Sequence, residues 1–248
     1  MNIDFVKLEG GSFRMGSDLS EIESLQREFA YAFAGFSPSK VRDWLIKQTP
    51  PFEAEVRSFE MSRGLTTRAQ FAAFERATGI APSGLTDGDT ELPVEGISFA
   101  QASGFCDWLS RLRGERISLP TETEWEFAAS SRGRFRYPWG DEWDPSRANT
   151  AESGPGRASK SGEFSLGRSA QGIEDLAGNL EEWTSSTYRP YAGAPVVRDR
   201  VFNEQGPDYH ILRGGWYGLH GDLCHASRRH GFSTGWALAG LRIVRRPV

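Results

Sequence analysis

The spacing of apolar residues changes repeatedly along the chain, from alternation to helical periodicity and back. Phe5-Val6-Lys7-Leu8 reads as a strand, and a Gly10-Gly11 turn leads into a second run of strand signals from Ser12 to Ser17. From Ser20 the spacing of Ile22, Leu25, Phe29 and Phe33 is helical, with Ser20 as N-cap and Glu23 completing a capping box. A second short helix is expected after Ser39, with Val41, Trp44 and Leu45 on one face, before Pro50-Pro51 stops it. Alternation from Phe52 to Met61 predicts one strand. Thr66-Thr67 then caps a helix carrying Phe71, Phe74 and Ala77 as far as Gly79, and another helix runs from Ser98 through Phe105, Trp108 and Leu109. Between Ile117 and Ala129 the text gives a short strand, a proline stop and a capped helix. Residues 132–171 carry few apolar positions and read as irregular, pinned by Tyr137, Trp139 and Trp143.

The last forty residues break every rhythm. Arg213-Gly214-Gly215 and Gly240-Leu241-Arg242-Ile243-Val244-Arg245 read as framework, whereas Trp216 to Ala239 mixes aromatic, histidine, glycine and small polar residues without period. An ordered frame around such a segment is how a loop-borne binding surface looks, because aromatic side chains supply contact area at low entropic cost. The alternative is that Trp216, Tyr217 and Trp236 fill the core beneath a surface loop.

Composition narrows the classes. The 248 residues carry a net charge of −4 with Lys and Arg scattered, which leaves no basic field for nucleic acid. No apolar run is long enough for a membrane span and the N-terminus lacks signal-peptide character, so a soluble, cytoplasmic protein is expected by default, with surface display by another route still open. Two cysteines, Cys106 and Cys224, cannot form a disulfide framework, and Cys106 lies on an apolar helical face. Eight Trp and 28 Gly point to a fold rich in turns with aromatic pins.

The strings MGS at Met15, LPVEGISFAQASGFCDWL, SLPTETEWEFAA, YPWGD, RAN, DLAGNLEEW and RGG…GLRIVR together resemble the formylglycine-generating enzyme (sulfatase-modifying factor) family, in that family's order and over nearly the whole chain. The resemblance implies an α+β fold, the irregular, coil-rich variant of the C-type lectin fold with small mixed β-sheets and a few helices. It implies one domain over 1–248, with a helical insertion at about 20–49. The family's oxidase holds copper between two cysteines that follow Gly-Gly-Ser, since thiolates suit monovalent copper. Here Trp216 stands at the Ser position and Leu219 at the first cysteine position, and only Cys224 matches the second. Relatives that use non-haem iron draw histidines from a separate helical domain. His210, His220, His225 and His230 instead crowd the C-terminus, with Asp222 as a candidate carboxylate.

A second branch resembles the C-terminus more closely: the variable proteins of diversity-generating retroelements, whose lectin-like fold displays a diversified segment between an RGG-type start and a GFR-type end. Gly221-Asp222-x-Cys224 and Ala226-Ser227-x-Arg229 resemble the fixed framework inside that segment. The resemblance marks 213–242 as the binding region and implies ligand contacts from Trp216, Tyr217, Gly218, Leu219, His220, Leu223, His225, Arg228, His230, Phe232 and Trp236. The family's calcium motif would map to Asp175 and Glu182 with the carbonyls of Gly178 and Leu180; alternatively Asn179 and Glu182 hold that loop by hydrogen bonds. Asn149 and Thr150 match part of a second calcium site, whose acidic partner has no clear match between Gly162 and Gly167. Two functions are implied: a binding protein for a protein or other macromolecular ligand, which requires no cofactor and for which calcium is the one candidate, or a copper- or iron-dependent oxidase acting on a thiol substrate.

Overall fold

The computed structural model describes residues 2–82, 88–231 and 238–247, so Phe232 and Trp236 lie outside the described residues. The chain opens with β1 (Phe5–Leu8) and β2 (Gly11–Met15), followed by helices α1 (Leu19–Glu28) and α2 (Pro38–Ile46). Helix α1 begins two residues earlier than the Ser20 pattern suggests. Asp18 accepts from the Glu21 N–H and Glu21 Oε2 accepts from the Asp18 N–H, so the capping box is Asp18–Glu21. Arg14 decides between the two overlapping boxes by reaching Glu21 at 2.8 Å and Asp18 at 3.2 Å. Helix α2 is likewise capped by Ser37, with Pro38 in its first turn, where a missing N–H costs nothing.

The alternation from Phe52 to Met61 is two strands, β3 (Phe52–Val56) and β4 (Phe59–Ser62), rather than one. They change partner at Arg57-Ser58: β3 pairs antiparallel with β2, while β4 pairs with β1. Each strand buries alternate residues, but the phase shifts at the break, from Ala54 and Val56 in β3 to Phe59 and Met61 in β4, so the gap at Arg57-Ser58 marks the change of sheet. Helix α3 (Arg68–Thr78) is closed by a Thr67–Gln70 box, and α4 (Phe99–Arg113) by a Ser98–Gln101 box. Strand β5 (Arg116–Ser118) and helix α5 (Glu122–Ala129) come next, with Thr121 as the α5 cap.

Beyond α5 the chain is mostly coil until β6 (Glu181–Thr187), α6 (Arg200–Gln205), β7 (His210–Arg213), β8 (His230–Gly231), β9 (Ala239–Gly240) and β10 (Val244–Arg246). One four-stranded sheet has the order β1-β4-β10-β5 and a second has β8-β7-β6-β9, with β6 and β9 parallel. Thus the closing strand β10 returns to the sheet that β1 begins. Helix α5 packs in the centre: Trp125 and Phe127 are buried with Phe13, Phe59 and Leu176. A second cluster joins Phe71, Phe74 and Phe105 of α3 and α4 to Trp183 and Leu212 of the second sheet. Burying each such side chain stabilises by about 1.5–3 kcal/mol. A third cluster seats Leu25, Phe29 and Leu45 of α1 and α2 on Tyr137, with Trp139 and Trp143 against it. The aromatic pins of the irregular region therefore serve as the floor for the two helices of residues 20–49. No helix among the described residues is long and apolar enough to cross a membrane.

Candidate functional site

The C-terminal segment is held at its ends by three arginines with almost no exposure. Arg213, at the end of β7, donates to Glu126 at 2.8 Å and to the Ala226 carbonyl at 2.7 Å. Arg229 forms a fork with Glu122, 2.9 Å on both oxygens, and also donates to the Lys47 carbonyl at 2.9 Å. Arg242 repeats the fork with Glu182, again 2.9 Å on both oxygens, and donates to the carbonyls of Ser62, Arg63 and Glu174. Bidentate guanidinium–carboxylate pairs fix geometry as well as charge. Sequence reasoning recognised Arg213 and Arg242 as framework, but not their partners on α5 and β6. Glu122, Glu126 and Glu182 lie between 57 and 107 residues from the groups they hold, beyond any local pattern.

After Arg213 the chain must turn tightly, and Gly214 and Gly215 adopt φ of 100° and 74°. A Cβ on Gly215 would lie 3.1 Å from Cys224 Sγ, so the outgoing chain passes directly over the returning one. Residues 216–220 then face outward. Trp216, Tyr217, Leu219 and His220 are half-buried and Gly218 is exposed. The Trp216 and Tyr217 rings meet edge to face at 5.0 Å, and Tyr217 donates through its hydroxyl to Glu95 at 3.3 Å. His220 stacks edge-on at 5.4 Å against Tyr31, which is 52% exposed and comes from the residues after α1. Glu152 ties this corner together by accepting from the Tyr31 hydroxyl at 2.8 Å and the Gly221 N–H at 2.9 Å. Neither Tyr31 nor Glu152 was visible as a site residue, since each lies more than sixty residues from the segment it joins. His230 sits at the far side, with Nδ1 at 2.7 Å from Glu181.

Three of the expected contact residues lie beneath this face. Leu223, His225 and Arg228 are only 6%, 3% and 3% exposed. The physical reason is the short 3-10 turn at 221–224, which folds Leu223 and Cys224 inward under Gly215. Arg228 donates to the Trp44 carbonyl at 2.9 Å and to the Arg229 carbonyl at 2.7 Å. His225 accepts from Arg136 Nε at Nε2, 3.3 Å, which puts its proton on Nδ1, where it donates to Ser227 Oγ at 2.7 Å. Burial, reinforced by Arg136 and Arg228, drives its pKa down to about 3. Asp222 is also nearly buried, and desolvation raises its pKa to about 6.

Both sulfurs are buried. Cys224 has no exposure and burial pushes its thiol well above the ordinary range; Cys106 is buried on α4 in a different apolar cluster. Leu219 occupies the position where the oxidase has its other thiolate. Among the described residues, no group of three or more His, Cys, Asp or Glu side chains is arranged to hold a metal ion.

The calcium reading of Asp175, Gly178, Leu180 and Glu182 does not fit either. Both Glu182 oxygens are engaged by Arg242, and one also accepts from Trp125 Nε1 at 2.9 Å, so a guanidinium stands where the cation would. Asp175 accepts from Asn179 at 3.3 Å, and burial raises its pKa to about 6. Asn179 donates to the Ser159 carbonyl and Asn149 to the Arg157 carbonyl, whereas Glu182, the other residue of the hydrogen-bonding alternative, bonds side chains rather than backbone. Asn149 Oδ1 and Thr150 Oγ1 remain buried without a partner.

Comparison with known proteins agrees with this architecture. Residues 1–247 match the family described as FGE-sulfatase, the sulfatase-modifying factor enzyme 1-like domain. The inactive C-alpha-formylglycine-generating enzyme 2 of Bos taurus is 30% identical over 224 residues, covering 75% of this chain and 72% of that protein. The formylglycine-generating enzyme of Streptomyces coelicolor is 28% identical over 90% of this chain and 81% of its own length. A hercynine oxygenase of Mycolicibacterium thermoresistibile is 34% identical, but the match spans 56% of this chain and only 32% of the relative. Among solved structures, Treponema denticola variable protein 1 superposes with a TM-score of 0.70 at 16% identity, covering 98% of this chain and 95% of that one. PvdO from Pseudomonas aeruginosa gives 0.70 at 20% identity, over 98% and 94%. At those identities the structural likeness speaks for the fold alone, and that fold is the α+β, formylglycine-generating-enzyme variant of the C-type lectin fold that the motifs implied. Matched over all but its last residue, and sharing motif order and architecture, the chain belongs to the sulfatase-modifying factor enzyme 1-like (formylglycine-generating enzyme) family.

Proposed function

We propose that this chain is a non-catalytic binding protein whose recognition surface is the face of Trp216, Tyr217, Gly218, Leu219 and His220, flanked by Tyr31 and His230. The observation that carries the reading is a contrast within one segment: residues 216–220 face outward on a base fixed by Arg213 and Arg229, while the cysteine at the oxidase position is sealed beneath them. Half-buried aromatics with adaptable polar neighbours are what protein-recognition surfaces use. The ligand would be a protein or other macromolecule, since the face is open rather than a deep pocket. The fold shared with a variable protein of Treponema denticola supports retroelement-driven variation of this segment, and the match to an inactive family member supports the loss of catalysis. Phe232 and Trp236 belong to the same proposed segment.

The test compares immobilised wild-type protein with a Trp216→Ala/Tyr217→Ala/His220→Ala variant in capture from its own cells and their surroundings. A partner retained by the wild type and lost by the variant, with unchanged unfolding midpoints, is the expected result. Copper-dependent oxygen uptake on a cysteine peptide, abolished by Cys224→Ser, would overturn the proposal in favour of the oxidase. Variation itself is read from the genome: a near-identical copy of the C-terminal coding segment beside a reverse transcriptase gene supports it, and no such copy refutes it.

A further inference from the structure

A cavity of about 190 Å³ opens on another side of the same C-terminal segment, between residues 130–141, the start of α1 and residues 225–227. It is far larger than the ~10–15 Å³ that a single water requires. Its floor is polar and buried, and most of its groups are engaged with one another. Ser17 and Ser227 share a 2.6 Å hydrogen bond, Gln48 donates to both, Ser227 accepts from His225, and Glu126 accepts from the Gly16 N–H at 2.6 Å and from Arg213. Gln48 Oε1 is the atom of this network left without a partner, so the floor offers little beyond shape to an anion.

The rim is different. Arg14, Arg134 and Arg136 converge there with Glu21 and Asp141. Glu21 is engaged by Arg14 and by the Asp18 N–H, and Asp141 accepts from the Arg136 N–H. Arg136 uses Nε on His225 and Nη2 on Glu28, which leaves Nη1 uncommitted. Arg14 uses both terminal nitrogens, which leaves Nε. The Arg134 guanidinium makes no hydrogen bond or ion pair among the described residues; it lies 5.9 Å from the Phe135 ring. By charge the lining is balanced, Arg14, Arg134 and Arg136 against Glu21, Glu126 and Asp141, but Glu126 is spent on Arg213, so one guanidinium, that of Arg134, is left over. Such a fork matches an oxyanion bidentately.

The backbone holds Arg134 in place. Ser131 and Arg132 take φ of 49° and 69°, positions that side-chain-bearing residues seldom adopt. Ser130 fixes the turn, its carbonyl accepting from the N–H groups of Arg134 and Phe135 and its hydroxyl from Gly133. Strain held by surrounding hydrogen bonds is typical of ligand clamps.

We propose that this cavity is a binding site for a small oxyanion, a phosphate, sulfate or carboxylate group, held by Arg134 with the free Nη1 of Arg136. The site is separate from the Trp216–His220 face and stands or falls without it. Calorimetric titrations at low ionic strength with inorganic phosphate, sulfate and acetate, each beside chloride at matched ionic strength, test it and identify which group is preferred. At least one oxyanion is expected to bind saturably, with Arg134→Ala weakening it tenfold or more and Arg134→Lys, which keeps charge but loses the fork, falling between. Arg134 is exposed, so the anion-free unfolding midpoint of both variants should equal that of the wild type. Equal binding by Arg134→Ala, or heats indistinguishable from those of chloride, would overturn the proposal.

Discussion

Replacing Glu182 with glutamine tests the closed carboxylate site at its centre. Glutamine keeps the shape and one acceptor, but removes the only carboxylate paired with Arg242 among the described residues, a guanidinium with no exposure whose other partners are backbone carbonyls. Breaking a buried pair on one side costs about 3–5 kcal/mol. For a domain of this size each kcal/mol moves the midpoint by roughly 2–4 °C, so Glu182→Gln should lower it by somewhere between ~6 and ~20 °C. Tryptophan fluorescence follows the transition directly, because Trp125 donates to the same carboxylate. Replacing both partners, as Glu182→Met with Arg242→Met, should recover only part of the loss, since no lone charge is left buried but the Ser62, Arg63 and Glu174 carbonyls and the Trp125 indole N–H lose a partner. Excess EDTA should leave the wild-type midpoint where it was. A Glu182→Gln midpoint within a couple of degrees of wild type, or a chelator effect as large as the mutation's, would show the reasoning to be wrong and would restore a cation to this loop.

Further expectations concern the C-terminal segment. Cys106 and Cys224 are both buried, so a thiol reagent should label neither in the native protein and both after denaturation; rapid native labelling of Cys224 would contradict its sealed position. Asp222 has a folded pKa raised to about 6 from 3.8, so its ionised form is disfavoured in the folded state. Stability should therefore fall as pH rises through about 4 to 6, and Asp222→Asn should gain up to about 2–3 kcal/mol above pH 6 and nothing near pH 4, as pH-dependent urea unfolding will report. His225, with its pKa lowered to about 3, should stay neutral and protonated on Nδ1 at pH 5 in nitrogen-detected NMR; titration near the ordinary histidine value would refute its burial. Gly221→Ala would drive a methyl into the Trp143 ring and should destabilise by ~1–3 kcal/mol in the same unfolding assay, whereas an unchanged midpoint would mean that the ring gives way freely.

Local chemistry was legible where one short signal had one meaning. Thr67 with Gln70, Ser98 with Gln101 and Thr121 with Glu124 each announce a helix start, and each forms a complete capping box. Where two signals overlap, as at Asp18–Glu21 and Ser20–Glu23, the sequence does not rank them, and a tertiary contact from Arg14 does. The run from Phe52 to Met61 reads as one strand because each half alternates; the shift of phase between Val56 and Phe59, across Arg57-Ser58, is the signal that divides it. Within the candidate site, the aromatic and glycine content of 216–220 marks a stretch outside helix and strand, which it is, without ranking which of its side chains are covered. The inward turn at 221–224 was not legible, because a single 3-10 turn leaves no periodicity by which Leu223, His225 and Arg228 could be assigned to the floor. Charges buried through pairing are equally hidden, since Glu122 and Arg229 look like surface residues until the fold joins them.

The guanidinium forks at Arg229 and Arg242 and the Arg213–Glu126 pair also divide the work of the C-terminal segment in two. Shape there is dictated from outside, by carboxylates on a helix and a strand that precede it in the chain. Residues 216–220 supply none of these charged anchors, although Tyr217 packs against Leu65, Ala158 and Leu180 and its N–H donates to the Asn179 carbonyl. New side chains could therefore be tried on this face one after another while the polypeptide beneath keeps its course.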